Sequence, residues 1–326
     1  MAITTTKPLR IGIIGSGSAA KLFASAIKST TEAELWSVYS RQRELSTELA
    51  AAFGARAQKP AHDDLQTMLR DPDLDAVIVA SPDGMHARQV LAAAAAGKHV
   101  LVEKPMALDL GEADRMIAAC KEARVCLAVG YRARWHDGHR RIAAQLAEGN
   151  FGKVRHVHAS WSYLDVALTN WRYSRELSRW GALSKLGTHL IDFGLWMNEA
   201  QGPVTKVKAI LQHGGRRTDE SAVVIWSHES GATCEIVASV ATGEGESRAE
   251  IHCDDALIEL KNTFAFHGGG KLYVNGEELM FSVKNEFVDQ LEDLAKAVRQ
   301  GREPFSGGRV GRQNLEVLVG ALGEPA

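Results

Sequence analysis

The sequence predicts an α/β chain whose first part is a doubly wound parallel sheet and whose second part is built on antiparallel strands. Three observations lead there. Short apolar runs alternate with helical patterns from residue 9 to residue 129, and strands joined by crossover helices pair in parallel. The first of these runs opens directly into Gly15-Ser-Gly-Ser-Ala-Ala20, a glycine turn in strand–turn–helix context. Beyond residue 204 the chain changes to alternating or β-branched runs at 204–211, 221–228, 233–240, 248–252, 256–260 and 271–274. Gly, Asn and Asp turns separate these runs, as antiparallel pairing requires.

Composition narrows the class. The 326 residues are 45% hydrophobic and 24% charged, an ordinary globular balance that fits two domains at about 100–200 residues each. Thirty-eight Lys and Arg against 40 Asp and Glu leave a formal charge of −2, so no charge excess points to nucleic acid or a membrane as partner. No apolar run reaches the roughly 18 residues of a membrane span. No signal-peptide core stands before the first strand. Cys120, Cys126, Cys234 and Cys253 lack paired metal-type spacing, and four thiols in such a chain are no disulfide framework, so a cytoplasmic home is expected.

Taken in order, Leu9–Ile14 reads as a buried strand and Lys21–Ile27 as the helix after the glycine turn. Gly15 allows the tight turn, Gly17 lets the backbone approach a pyrophosphate, and Ala20 lets helix and strand pack closely. Ser18 and Ala19 open the helix, whose N-terminus suits phosphate oxygens. The second strand, Ala33–Tyr39, ends in Ser40-Arg41-Gln-Arg43. An NAD site usually places an acid there for the ribose 2′-hydroxyl. A small hydroxyl followed by arginine suits a 2′-phosphate instead, so NADP(H) is preferred, with NAD(H) as the alternative. The contrary reading makes Arg41 and Arg43 solvated residues opening the next helix.

Asp63 is the expected cap of a short helix through Arg70. The strand Asp75–Ala80 leads into Ser81-Pro82-Asp-Gly-Met-His86, a turn at the same sheet edge from which Ser81, Pro82 and His86 can reach the cofactor. An alanine-rich helix closed by Gly97 is followed by His99–Val102 and then Glu103-Lys104-Pro105. Proline lacks the donor a ladder needs, so Lys104 stands at the carboxyl edge of a strand, where open α/β sheets bind ligands. The helix begun by Asp109 and Glu112 and the strand Val125–Val129 complete the series. We place the boundary at Gly130, with 1–130 a dinucleotide-binding domain and 131–326 a substrate-binding and oligomerisation domain.

The pieces IGIIGSGSAA, SPDGMH, AGKHVLVEKP and GYRARW, and later Trp180-Gly-Ala-Leu-Ser-Lys-Leu-Gly187-Thr-His189, resemble the glucose–fructose oxidoreductase / inositol dehydrogenase family, Gfo/Idh/MocA, in order and spacing. The resemblance implies a Rossmann domain joined to a domain with a large, mostly antiparallel open sheet. It implies nicotinamide-dependent chemistry on hydroxyl or carbonyl groups, frequently of sugars or cyclitols. It also places Glu103, Lys104, Arg132, Trp171 and Arg172 at the cofactor or substrate.

In the second half, His156 and His158 share a strand face without an evident third metal ligand, so no metal is expected. Ser184–Asn198 reads as a helix that puts Lys185 and His189, four apart, on one face. Asp192 lies three residues beyond His189 and can orient its ring. Asn275-Gly276 is a hairpin signal, and Asn285–Arg299 and Arg309–Leu322 read as helices. An open sheet face supports self-association, as a homodimer or homotetramer.

Hydride transfer needs a positioned reacting carbon and a proton donor or acceptor. Lys104 can bond the reacting oxygen and offset its developing charge. His189 suits the proton relay, imidazole having an ordinary pKa of about 6.5. The family commonly has an aspartate four residues before this histidine, where this chain has Lys185. Lys185 then takes part in catalysis, or recognises an acidic substrate, or points elsewhere with turnover abandoned. The leading expectation is an NADP-preferring oxidoreductase of a sugar, polyol or sugar acid. The alternatives are a nicotinamide-binding sensor and a dehydrogenase of aromatic dihydrodiols or semialdehydes.

Overall fold

A computed structural model describes residues 7–165, 171–174, 176–215, 217–243, 245–266 and 268–323. Contacts divide the chain into two units. One comprises Met1–Ala107, Gly111–Gly130 and Phe287–Gly311, and the other Leu108–Leu110, Tyr131–Glu286 and Arg312–Ala326.

The first unit alternates strand and helix as its sequence pattern requires. Its elements are β1 Leu9–Ile14, α1 Ser18–Ile27, β2 Ala33–Tyr39, α2 Arg43–Phe53, β3 Ala61–His62, α3 Leu65–Leu69, β4 Ala76–Val79, α4 His86–Ala95, β5 His99–Val102, α5 Leu110–Glu122 and β6 Leu127–Val129. The six strands lie in the order β3-β2-β1-β4-β5-β6, all parallel. Ile11, Ile13, Ile78 and Leu101 are fully buried, as helices covering both faces of a parallel sheet demand. The strand order reverses between β1 and β4, which opens a crevice at the carboxyl ends of these strands. Two-residue β3 falls below the length at which a pattern is readable. The cap of α3 is Asp64, whose carboxylate accepts from Thr67 N at 2.7 Å. The Asp63 named from the sequence instead pairs with Arg43 at 3.0 Å.

The second unit contains α6 Asp137–Ala147, β7 Val154–Ser162, α7 Thr188–Met197, β8 Val204–Gln212, β9 Ser221–His228, β10 Thr233–Ser239, β11 Ser247–Cys253, β12 Leu257–Lys261, β13 Lys271–Val274 and β14 Glu277–Glu278. Its eight strands run β14-β13-β12-β11-β7-β10-β9-β8, antiparallel except for the parallel pair β7–β10. Asn275 and Gly276 close the β13–β14 hairpin with φ of 50° and 83°, as a two-residue Asn-Gly turn requires. Helix α7 sits against the sheet because position 194 is glycine. A Cβ there would fall 2.7 Å from the Trp226 ring.

The other sheet face carries His156, His158, Glu235, Glu250 and His252, with Ile210 76% exposed and Ile225 46% exposed. The rings of His156 and His252 are 6.0 Å apart, and His158 Nδ1 lies 3.7 Å from Glu235 Oε1. Among the described residues, no group of three or more His, Cys, Asp or Glu side chains is arranged to hold a metal ion. No helix among them is long and apolar enough to cross a membrane.

Two helices follow, α8 Glu286–Gln300 and α9 Gly308–Ala321. A single cut after Gly130 would give both to the second domain. Phe287–Gly311, however, clusters with the first unit. Phe287 meets Phe23 edge to face at 5.1 Å, Leu291, Leu294 and Ala295 join the core with Ile11 and Ala24, and Gln290 Nε2 and Ser306 Oγ both donate to Val129 O. The periodicity of α8 shows an apolar stripe; it does not show which sheet the stripe covers.

Candidate active site

The glycine turn is tight where it passes β4 and open where it meets α1. Gly15 has φ of +124°, and a Cβ there would lie 2.5 Å from Ala80 O, so the turn passes against the end of β4 only as glycine. Gly17, the N-cap of α1, has no side-chain cap, and a Cβ on it would meet nothing within 4 Å. The space in front of the helix N-terminus is therefore open, and the first-turn N–H groups of Ser18 and Ala19 lack a side-chain acceptor. Such donors, backed by the helix dipole, are suited to phosphate oxygens. The residues present fit a dinucleotide.

At the end of β2, Ser40 is buried and its Oγ lies 3.2 Å from Ser16 Oγ, which links the strand end to the glycine turn. Ser40 N donates to His62 O at 3.1 Å, and Ser40 Oγ accepts from Gln42 N at 3.3 Å. Arg41 is exposed beside it, whereas Arg43 is engaged by Asp63. Of the two arginines read from the sequence, Arg41 is thus the one presented beside the turn.

Ser81 and Pro82 lead off β4, with Ser81 Oγ 2.5 Å from Gln89 Oε1. His86 is fully buried, its Nδ1 2.9 Å from Pro105 O and its Nε2 2.9 Å from Ser81 O. Both ring nitrogens are occupied by carbonyls, so the geometry makes His86 a brace between the loops that follow β4 and β5. The sequence offered it as a cofactor contact; its buried place at the start of α4 accounts for the difference. Lys104, 8% exposed, leaves the end of β5 after Glu103, whose N–H donates to Val79 O at 2.8 Å. Glu103 Oε2 accepts from Lys104 N at 3.2 Å, and the Lys104–Pro105 peptide is cis. A Cβ at Gly130 would approach Glu103 Oε1 to 3.1 Å, so glycine leaves the carboxylate its room.

In the second unit, Lys185 and His189 stand on consecutive turns of one helical run. Leu183–Gly187 is a π-turn and α7 begins at Thr188, where the sequence suggested α-helix throughout. Single π-turns recur at functional sites. Asp219 caps the entry: its carboxylate accepts from Gly181 N at 2.7 Å and Leu183 N at 2.8 Å, and its own carbonyl accepts from Ala182 N at 2.8 Å. A Cβ at 181 would fall 2.1 Å from Asp219 O. Burial pushes the Asp219 carboxyl above its ordinary pKa, against the stabilising pull of those amides.

Lys185 Nζ lies 2.6 Å from Asp165 Oδ2 and 4.8 Å from the centre of the Tyr163 ring. The segment after β7 therefore brings a carboxylate to Lys185. The His189 ring faces Trp161 at 6.1 Å, and Thr188 Oγ1 meets Tyr131 Oη at 3.1 Å. Asp192 does not orient His189. Its carboxylate receives Arg134 Nε at 3.0 Å on both oxygens and Asn314 Nδ2 at 3.0 Å. Burial raises the pKa of Asp192, and Arg134 opposes the rise.

Arg132, a cofactor candidate from its motif, is instead committed within the second unit. It is buried, paired with Glu286, and donates to Phe264 O at 2.6 Å and Ala265 O at 3.2 Å. Trp171 and Arg172 form one short helical turn, the guanidinium 4.2 Å from the indole centre. Asn170 and Arg175, read from the sequence as part of the same loop, lie outside the described residues. Trp180 is core: it is fully buried and its Nε1 donates to Leu318 O at 3.2 Å. Asp165 and Asp219 escaped sequence reading because both act on residues distant in the chain, and nothing local marks either.

Comparison with known proteins bears on both parts of the chain. Residues 9–131 match the oxidoreductase family with an NAD-binding Rossmann fold, and residues 139–259 match the Gfo/Idh/MocA C-terminal domain. A 1,5-anhydro-D-fructose reductase of Ensifer adhaerens is 28% identical over 94% of this chain and 93% of its own. A myo-inositol 2-dehydrogenase of Thermotoga maritima is 27% identical over the same shares. The crystal structure of an aldose-aldose oxidoreductase from Caulobacter crescentus, complexed with glycerol, superposes with a TM-score of 0.87 at 25% identity, covering 95% of each chain. With both domain models matched in order, the chain belongs to the Gfo/Idh/MocA family of NAD(P)-dependent oxidoreductases.

Proposed function

We propose that the protein is an NADP(H)-preferring oxidoreductase acting on a hydroxyl or carbonyl group of a sugar, polyol or sugar acid. The observation that carries this reading is the open, uncapped N-terminus of α1 behind Gly17, with buried Ser40 and exposed Arg41 at the neighbouring strand end. Gly15, Gly17, Ser18 and Ala19 would hold the pyrophosphate, and Ser40 and Arg41 the 2′-phosphate. Ser81, Pro82 and Glu103 line the same carboxyl edge, with Trp171 and Arg172 as further contacts. When bound, the nicotinamide supplies the hydride acceptor or donor. Lys104 hydrogen-bonds the reacting oxygen and offsets its charge. His189 takes the hydroxyl proton during oxidation and returns it during reduction.

The relatives in the comparison act, by name, on anhydrofructose, inositol and aldoses, which supports a polyol-like substrate. Cys120, Cys126, Cys234 and Cys253 are free thiols, in keeping with the cytoplasm. Exposed Ile210 and Ile225 on the outer sheet face support a homodimer or homotetramer, and light scattering that finds a monomer at micromolar concentration removes that part of the reading. The function is tested by turnover of a panel of aldoses, cyclitols, aldonates and dihydrodiols with each cofactor, beside Arg41→Ala. One charge-assisted bond at an exposed site is worth about 1.5 kcal/mol, so the variant should lose about tenfold in NADPH affinity and keep its NADH affinity. An unchanged ratio of the two affinities would refute the 2′-phosphate assignment, and no turnover across the panel would refute the activity.

A further inference from the structure

Lys185 lies in the π-turn that leads into the His189 helix, and its ammonium is held by fixed partners. Tyr163 N donates to Ser239 O at 3.0 Å and Asp165 N donates to Val240 O at 2.9 Å, so residues 163–165 are pinned along the end of β10. That anchoring aims the Asp165 carboxylate at Lys185 Nζ, 2.6 Å away, and sets the Tyr163 ring 4.8 Å from the same nitrogen. Lys185 is held from its own side by the π-turn, its N–H donating to Gly181 O at 3.0 Å, and Asp219 caps that turn. The two side chains are 20% and 9% exposed, unlike a solvated surface pair whose geometry would wander.

We propose that Asp165 is a specificity-determining positioning residue: by fixing and neutralising Lys185 it selects uncharged polyols and sugars over sugar acids. This rests on the reading of Lys185 and His189 as residues of the reaction site. A bare ammonium on the His189 helix attracts a carboxylate, and the attraction at a few ångströms in a partly shielded site is large. The opposite charge of Asp165 at 2.6 Å turns the ammonium into one end of a dipole, and most of the attraction is cancelled. The pair therefore presents no net charge, and the lysine remains a hydrogen-bond donor.

The test compares affinities of D-gluconate and D-glucitol for the NADP-bound protein by calorimetry, together with kcat and KM on whichever aldose or polyol the wild type turns over. Asp165→Asn keeps the shape and removes the charge. It should raise the affinity for gluconate relative to glucitol by about tenfold, equivalent to about 1.4 kcal/mol. The double variant Asp165→Asn/Lys185→Met is again net neutral and should return to the wild-type ratio. A merely structural Asp165 would lower both affinities together and leave the ratio unmoved in both variants, which overturns the proposal. Should Asp165→Asn fail to fold, Lys185→Met alone supplies the check: it leaves Asp165 unbalanced and should depress gluconate relative to glucitol. If the wild type binds and turns over neither class, the reading of the site fails; if it does and the ratios do not move, only the role of Asp165 fails.

Discussion

Gly17→Ala should separate cofactor binding from folding. The Gly17 backbone, at φ −77° and ψ −170°, is one that alanine adopts without strain, and an added Cβ meets no atom within 4 Å. Two small terms act on the free protein. Losing glycine's unfolded-state freedom stabilises by about 0.4–1 kcal/mol, and alanine is a poorer N-cap than glycine by a similar amount. They nearly cancel, so the Tm of Gly17→Ala should stay within about 2 °C of wild type. In the proposed cofactor site, the space the methyl group takes is where the pyrophosphate approaches the α1 donors. Losing one charge-assisted bond there costs about 1.5–3 kcal/mol, or about 10–150-fold in Kd for NADPH. Fluorescence titration reads the affinity and a melt without cofactor reads the stability. Gly15→Ala is the contrast, because φ of +124° and a Cβ 2.5 Å from Ala80 O destabilise the free protein itself, by about 2–4 kcal/mol. If Gly17→Ala binds NADPH within about twofold of wild type, the cofactor does not sit on this helix and the reasoning fails.

Other perturbations test the second unit and the chemistry. Lys104→Ala should lower kcat/KM by about 10²–10³ through loss of the donor to the reacting oxygen, with a smaller effect on NADPH affinity; equal losses in both would make Lys104 a cofactor anchor only. Asp219→Ala leaves the buried N–H groups of Gly181 and Leu183 without their acceptor, at about 1–3 kcal/mol each, and urea unfolding should show at least the lower value. His139 is fully buried, with Nδ1 3.1 Å from Ala133 O and Nε2 2.9 Å from Thr263 Oγ1, and burial beside His136 holds its pKa well below the ordinary value. The unfolded chain therefore binds a proton that the folded chain refuses. Stability should be complete above about pH 6.5 and fall as the pH drops below it, approaching 1.4 kcal/mol per pH unit from this residue. A Tm flat between pH 7 and about pH 5 would contradict that assignment.

What could be read from the sequence was what depends on neighbours along the chain. The parallel sheet, the six strand runs after residue 204 and the Asn275-Gly276 hairpin follow from periodicities and turn residues within a few positions of one another, and they stand where they were read. The glycine turn is likewise local, because Gly15, Gly17 and the first turn of α1 lie within one short segment. The rest depends on pairings no window contains. Asp165 and Lys185 are 20 residues apart, Arg134 and Asp192 are 58 apart, and Arg132 and Glu286 are 154 apart. Each buried charge must find its counter-charge, but the rule names no partner. For that reason the sequence leaves three roles open for Lys185, makes Asp192 the partner of His189, and makes Arg132 a cofactor ligand. The same consideration explains the π-turn at Leu183–Gly187. Its residues carry no distinctive propensity, and the turn is held at its start by Asp219, which arrives from beyond α7. A charge at a motif position thus acquires its meaning from the opposite charge the fold brings to it, and at position 185 that charge belongs to Asp165.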